Sequence, residues 1–302
     1  MAVYPVDETR RPAWLAEENL RAAERFARLL NAPQPLFSEK EVHEFAADSG
    51  LNAEEAFPLL LDALLTGGDR RFLERYLKPA LRRVEPAEFR EDPYLREIRF
   101  PAVTEGGWTF RMMRYAPYQL FPCGHMRLLP DGREVPPLGY FTEPFEYPAV
   151  LEDGREWMTV TPNEILTMRR EIAEARGNVL VCGLGLGYFT MMVARSEAVR
   201  SVTVVERSAR LIALFEKHLL PQFPHREKIR LAEADAFQYL RSHAPLEGTD
   251  YVFADLWHDV GDGLPMYAEL RRLAARCPGV TFRYWIEQDM LIFLRGLEEE
   301  ES

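Results

Sequence analysis

Val179-Leu-Val-Cys-Gly183-Leu-Gly185-Leu-Gly187-Tyr-Phe189 decides the fold. An apolar run enters a G-x-G-x-G loop and leaves it as a helix-forming segment. Glycines there let the chain turn sharply and let a ligand approach main-chain N–H groups, while the following helix N-terminus adds partial positive charge. A dinucleotide fingerprint calls for Gly or Ala where Tyr188 stands, because the helix must pack closely on the strand. NAD and FAD are therefore disfavoured.

Downstream of the loop, strands and helices alternate. NVLVC (178–182), SVTVVE (201–206), KIRLAEA (228–234), DYVFAD (250–255) and TFRYWI (281–286) read as five strands. Helical segments separate them, including one over about 265–276, so the class is α/β with a parallel, doubly wound sheet. Upstream, Thr161-Pro-Asn-Glu164 opens a helix with Thr at the N-cap, Pro at the first position and Glu at the third. Gly177 is read as its end.

Three acidic positions follow strands of this series. Glu206 ends the second, where a carboxylate can accept both hydroxyls of a ribose. Asp235, followed by Ala236 and Phe237, comes directly after the third, where an acid can meet an adenine amino group; it can also cap a short helix over 236–242, and the two roles can coexist. Asp255-Leu-Trp-His258-Asp259 follows the fourth. His258 is a candidate base because imidazole changes charge near neutrality and a neighbouring carboxylate can hold its tautomer. His258 and Asp259 read equally as the cap or lining of an ordinary loop. Ligands bind open α/β sheets outside the carboxyl ends of their strands, so all four segments are expected around one crevice.

Toward the N-terminus the texture changes twice. From about Pro93 to Val160, turn signals such as Pro130-Asp-Gly132 and Asp153-Gly154 punctuate short aromatic and β-branched runs, which predicts antiparallel β-structure. From about Trp14 to Leu81 the apolar spacing is helical, with a capping box at Ser38-Glu-Lys-Glu41, a helix from Asn52 stopped at Gly67-Gly68, and a further helix over 70–81. The expected division is a helical region over 1–90, a β-rich region over 91–160 and the α/β domain over 161–302.

The 302 residues carry a net charge of −11. That field repels phosphate backbones, so a small-molecule partner is expected rather than nucleic acid. No apolar run is long enough for a membrane span, and the opening MAVYPVDETRRPAWLAEENL lacks a basic start and apolar stretch. A cytoplasmic address is the expectation. Cys123, Cys182 and Cys277 are too dispersed for a disulfide framework or a metal pair, and His125 has no companion ligands nearby in sequence.

The order GLGLG, VVERS, EADAF and ADLW, over about 161–286, resembles the motif series of Rossmann-like S-adenosylmethionine-dependent methyltransferases. It also resembles that of their spermidine synthase-like relatives, in which a small β-domain precedes the catalytic one. The resemblance implies S-adenosylmethionine as cofactor. It places Gly183, Leu184, Gly185 and Gly187 on the methionine part, Glu206 on the ribose, and Asp235 with Ala236 on the adenine. Asp255 would face the sulfonium or the acceptor, and Asp255, His258 and Asp259 become the candidate catalytic residues.

This chain departs from its relatives in three places. Leu186 stands where aminopropyltransferases carry an acid, His258 replaces the second acid of their D-x-x-D, and Val181 replaces an acid common before the first glycine of methyltransferases. The expected function is methyl transfer to a small molecule. Aminopropyl transfer and a non-catalytic binding role stand as alternatives. After TFRYWI only a helical segment remains, so the sheet is either short or completed at its edge by strands of the 93–160 region or by a second subunit, as in a homodimer.

Overall fold

The computed structural model describes residues 12–300, with side chains described through Arg295. It divides into two compact units. One contains the described residues up to Arg83, Pro117–Thr142 and those from Leu291 onward; the other contains Val84–Ala116 and Glu143–Met290.

In the first unit the helix Ala13–Asn31 buries Leu15, Asn19, Ala22, Phe26 and Leu29, one stripe at three- and four-residue spacing. The capping box expected at Ser38 is present, and Asn52 forms a second one. Ser38 and Glu41 open Glu39–Ser49, and Asn52 and Glu55 open Ala53–Thr66, which ends on a left-handed Gly67. The helix expected over 70–81 runs Arg70–Phe72, a π-turn Leu73–Leu77 and Lys78–Ala80. Pro79 supplies no N–H and crowds the carbonyl four residues back, and widening the preceding turn relieves this.

Pro117–Thr142 joins the helical unit instead of forming one β-region over 91–160. The reason is strand pairing and packing. Leu138–Tyr140 pairs in parallel with Leu81–Arg83 and antiparallel with Phe121–Pro122, and the Tyr140 ring lies 4.7 Å from that of Phe57.

The second unit contains two sheets. Val103–Glu105, Trp108–Tyr115, Phe145–Glu152 and Arg155–Thr159 form an antiparallel four-stranded sheet. Its last hairpin turns at Asp153-Gly154, both with positive φ, as a two-residue loop matched to strand twist requires. The parallel sheet consists of β1 (Gly177–Cys182), β2 (Val199–Glu206), β3 (Ile229–Glu233), β4 (Tyr251–Ala254) and β5 (Thr281–Tyr284), in the order β3-β2-β1-β4-β5. All its pairings are parallel. Helices α1 (Pro162–Glu174), α2 (Tyr188–Ala194), α3 (Ala209–His218), α4 (Ala236–His243), α5 (Val260–Ala274) and α6 (Glu287–Glu300) connect or follow these strands.

The parallel sheet ends at β5 among the described residues, and the 93–160 strands do not extend it. The helix α1 ends at Glu174, ahead of Gly177, which instead begins β1 with positive φ beside Asp250. Every residue of β4 and the last four of β1 are buried, as expected for a sheet covered on both faces. The Phe189 ring of α2 stacks on Phe253 of β4 at 3.8 Å and 8°. Next to it the Tyr188 hydroxyl donates to Asp92 Oδ2 at 3.0 Å. Tyr188 thus buries a large ring against Asp92 and Tyr94 at the position where a dinucleotide fold keeps Gly or Ala. Among the described residues no helix is long and apolar enough to cross a membrane.

The Phe189–Phe253 stack fastens α2, and with it the glycine loop, to the sheet. Phe253→Ala should lower unfolding free energy by about 3–5 kcal/mol in urea denaturation. A loss below about 1 kcal/mol would show that the stack does not fasten the loop.

Candidate nucleoside-binding cleft

The cleft opens at the carboxyl ends of β1, β2, β3 and β4, where the strand order reverses between β1 and β4. Gly183 leaves β1 with φ +97°, and a Cβ there would strike the carbonyl oxygen of Asp255 at the end of β4. Its N–H donates to the Val205 carbonyl at 2.9 Å, while the Asp255 N–H donates to Cys182 at 3.0 Å. The loop is therefore clamped between β2 and β4, and only glycine fits the clamp. At Gly185, with φ +49°, a Cβ would strike Met158 Sδ. Gly187 caps α2 and sits behind the cleft lining, its N–H donating to Leu184 at 2.8 Å.

Glu206 is latched to this loop. Its Oε2 accepts the Leu184 N–H at 3.2 Å and its Oε1 accepts the Ser208 N–H at 2.8 Å. Each carboxylate oxygen keeps a lone-pair position for a further donor. Across the cleft, Asp235 Oδ1 accepts the Gln238 N–H at 2.9 Å and so caps α4. Capping uses one oxygen, so the structural role leaves the other available. Ala236, Phe237 and Val205 supply apolar surface between the two acids.

Asp255 lines the cleft beside Gly183, Leu256 and Trp257. Burial pushes its carboxyl up to about 7, and the negative charge of Glu164 adds to the effect. Glu164 is the third residue of α1 and accepts the Thr161 N–H at 2.9 Å and the Thr159 hydroxyl at 3.2 Å. Burial raises its carboxyl too, against those hydrogen bonds. Cys182, buried under the loop, has its thiol pushed up to about 12 by burial, which rules out a thiolate nucleophile at neutral pH.

Of the residues selected from sequence, Gly183, Leu184, Gly185, Glu206, Asp235, Ala236, Asp255 and His258 line this one cleft. Asp259 stands outside the lining as the N-cap of α5, its Oδ1 accepting the Gly261 N–H at 2.6 Å. The carboxylate that meets His258 is Asp262, whose Oδ2 lies 2.8 Å from Nδ1. His125 belongs to the Pro117–Thr142 segment of the other unit. Among the described residues no group of three or more His, Cys, Asp or Glu side chains is placed to hold a metal ion.

Sequence reading missed Trp157 and Met158, on the last strand of the antiparallel sheet, which cross the cleft. Met158 Sδ accepts the Leu186 N–H at 3.4 Å. The Trp157 ring meets His258 edge-to-face at 5.0 Å and lies 5.6 Å from the Arg207 guanidinium. A strand just before Thr161 and β1 was legible as EWMTV, but the side it folds over is fixed only by tertiary packing.

The strand order 3-2-1-4-5, with a glycine loop after the first strand and an acid ending the second, is the Rossmann-like arrangement. The domain is Rossmann-like. No protein-family model matches the chain, and no curated protein matches it. Solved structures similar to it include a candidate SAM-dependent methyltransferase from Streptococcus mutans, at 20% identity over 42% of this chain and 36% of that one, with TM-score 0.32. Another is the precorrin 8W decarboxylase of Methanobacterium thermoautotrophicum, at 20% identity over 46% and 72%, with TM-score 0.31. A third is the spermidine synthase of Thermotoga maritima, at 13% identity over 50% and 55%, with TM-score 0.35. The chain spans about a third of the first of these and about half of the third.

The raised Asp255 carboxyl has a consequence for stability. The folded chain holds a proton there at pH values where the unfolded chain has lost it, so this group's contribution falls as pH rises from the ordinary carboxylate range toward about 7. Asp255→Asn should flatten the pH dependence of unfolding across that window. A carboxyl ¹³C titration of Asp255 should show a midpoint far above the usual range, and a midpoint near 4 would contradict the burial argument.

Proposed function

We propose that the chain is an S-adenosylmethionine-dependent methyltransferase acting on a small-molecule acceptor. The observation that carries this reading is the Glu206 carboxylate, held on the glycine-loop N–H of Leu184 and sharing one cleft with Asp235. A paired-hydroxyl ribose suits an acid so placed, and the exocyclic amine of adenine suits Asp235, with Ala236 and Phe237 against the ring.

The residues present fit that cofactor. Gly183 and Gly185 let the loop lie tight against Asp255 and Met158, where a Cβ would clash, and Leu184 and Asp255 border the cleft beside it. When bound, the cofactor supplies an electrophilic methyl group on a sulfonium. The chain's own task is to orient the acceptor, exclude water and receive a proton where the acceptor has one to lose. Asp255, His258 and the Trp157–Met158 strand border the acceptor end, whose size and aromatic lining suit a small molecule. Asp259, as a helix cap, supports that end indirectly.

Calorimetric titration should give S-adenosylmethionine and S-adenosylhomocysteine as ligands, with NAD failing to bind. Tighter binding of decarboxylated S-adenosylmethionine would favour aminopropyl transfer, and no binding of any of these would favour a non-catalytic role. Glu206→Ala should weaken S-adenosylhomocysteine about 10- to 100-fold, the loss of a charge-assisted hydrogen-bond pair. Unchanged affinity would remove Glu206 from the ligand site.

A further inference from the structure

Asp262, three residues into α5, receives more donors than a helix cap needs. Its Oδ1 accepts the N–H groups of Asp259 at 3.0 Å and His258 at 3.1 Å, and its Oδ2 meets His258 Nδ1 at 2.8 Å. The carboxyl is held below its ordinary value: those hydrogen bonds outweigh the burial that pulls it upward. An ionised carboxylate can only accept, so Nδ1 must carry the proton toward Asp262. In the neutral imidazole the lone pair then belongs to Nε2, which has no hydrogen-bond partner among the described residues.

The ring is also fixed from the side. Trp157 meets it edge-to-face at 88°, and the Arg207 guanidinium lies over Trp157. Of the charged groups around His258, Asp262 and Asp259 are on its own loop and helix, Asp255 precedes it on the same loop, and Arg207 faces it only through Trp157. The half-exposed imidazole thus lines the cleft with Nδ1 on Asp262 and its ring edge-to-face with Trp157.

From this geometry we propose that His258 is the general base for the acceptor and that Asp262 is the residue positioning it, which confines the acceptors to nucleophiles that must give up a proton, O–H or N–H groups. The inference rests on the methyltransferase reading above. The proton of the acceptor X–H passes to Nε2, the X–H electron pair becomes the nucleophilic pair that forms the X–CH₃ bond, and the S–CH₃ electron pair stays on sulfur. The imidazolium so formed is neutralised by Asp262 and returns its proton to water. The adjacent Asp259 caps α5 through Oδ1, which accepts the N–H groups of Gly261 and Asp262, and the hydrogen bond to the imidazole goes to Asp262 instead.

The test uses the full chain in two measurements. Two-bond ¹H–¹⁵N spectra of histidine-labelled protein, with His258 assigned by His258→Gln, should show the Nδ1–H tautomer in the free protein. Asp262→Asn should shift it toward Nε2–H, with both variants keeping the parent chain's circular dichroism spectrum at the temperature of measurement. An Nε2–H tautomer in the parent, or no shift in Asp262→Asn, overturns the positioning role.

Release of S-adenosylhomocysteine is then followed with a panel of phenols, primary amines and thioethers. Turnover should be confined to the phenols or amines and fall about 100-fold or more in His258→Gln, with Asp262→Asn intermediate. Turnover of thioethers alone, equal rates in His258→Gln, or bound S-adenosylmethionine with no turnover of any O–H or N–H acceptor overturns the base assignment. Failure of S-adenosylmethionine to bind, measured separately by calorimetry, is instead failure of the methyltransferase reading.

Discussion

A single carboxylate ties the glycine loop to the strand beside it. Glu206 takes the N–H of Leu184 from the loop and the N–H of Ser208 from its own turn. Hydrogen bonds to an ionised group are worth about 1.5–3 kcal/mol each, so the latch is strong enough to set the loop's shape. Gly183 makes the complementary demand. Its N–H is anchored on β2, and the carbonyl of Asp255 presses where a side chain would stand. Loop, β2 acid and β4 end are consequently one rigid unit, and the cleft is what this unit leaves open.

The remaining walls follow from that constraint. With the loop fixed, the Phe189–Phe253 stack sets α2, and the end of β4 delivers Asp255, Trp257 and His258 to the same crevice. Capping chemistry then does double duty. Asp235 caps α4 while lining the cleft, and Asp262, in the first turn of α5, holds His258 at the cleft wall. A cap that also lines a ligand site is rigid at the point where orientation matters.

Much of this was legible in the sequence because it is local. Short apolar runs alternating with helical segments marked the five strands, and Thr161-Pro-Asn-Glu164, Ser38-Glu-Lys-Glu41 and Asn52 marked helix starts through short-range hydrogen bonds. The carboxyl-end rule brought Glu206, Asp235 and Asp255 to one cleft. What stayed hidden depends on distant pairing. Residues 117–142 look like their β-rich neighbours, yet Leu138–Tyr140 pairs with Leu81–Arg83 and joins the helical unit. Trp157 and Met158 were visible only as strand residues. The carboxylate that holds His258 is neither flanking acid, Asp255 nor Asp259, because helical geometry turns Asp262, four residues on, back toward the imidazole.

In the proposed function this loop and its acids receive an adenosyl group. Amide shifts in ¹⁵N-labelled protein on addition of S-adenosylhomocysteine test it most directly. The largest shifts should fall at Leu184, Gly185, Ser208 and Ala236, around the Glu206 latch and the end of β3. Shifts confined to residues outside the cleft, or none at saturating ligand, would contradict it.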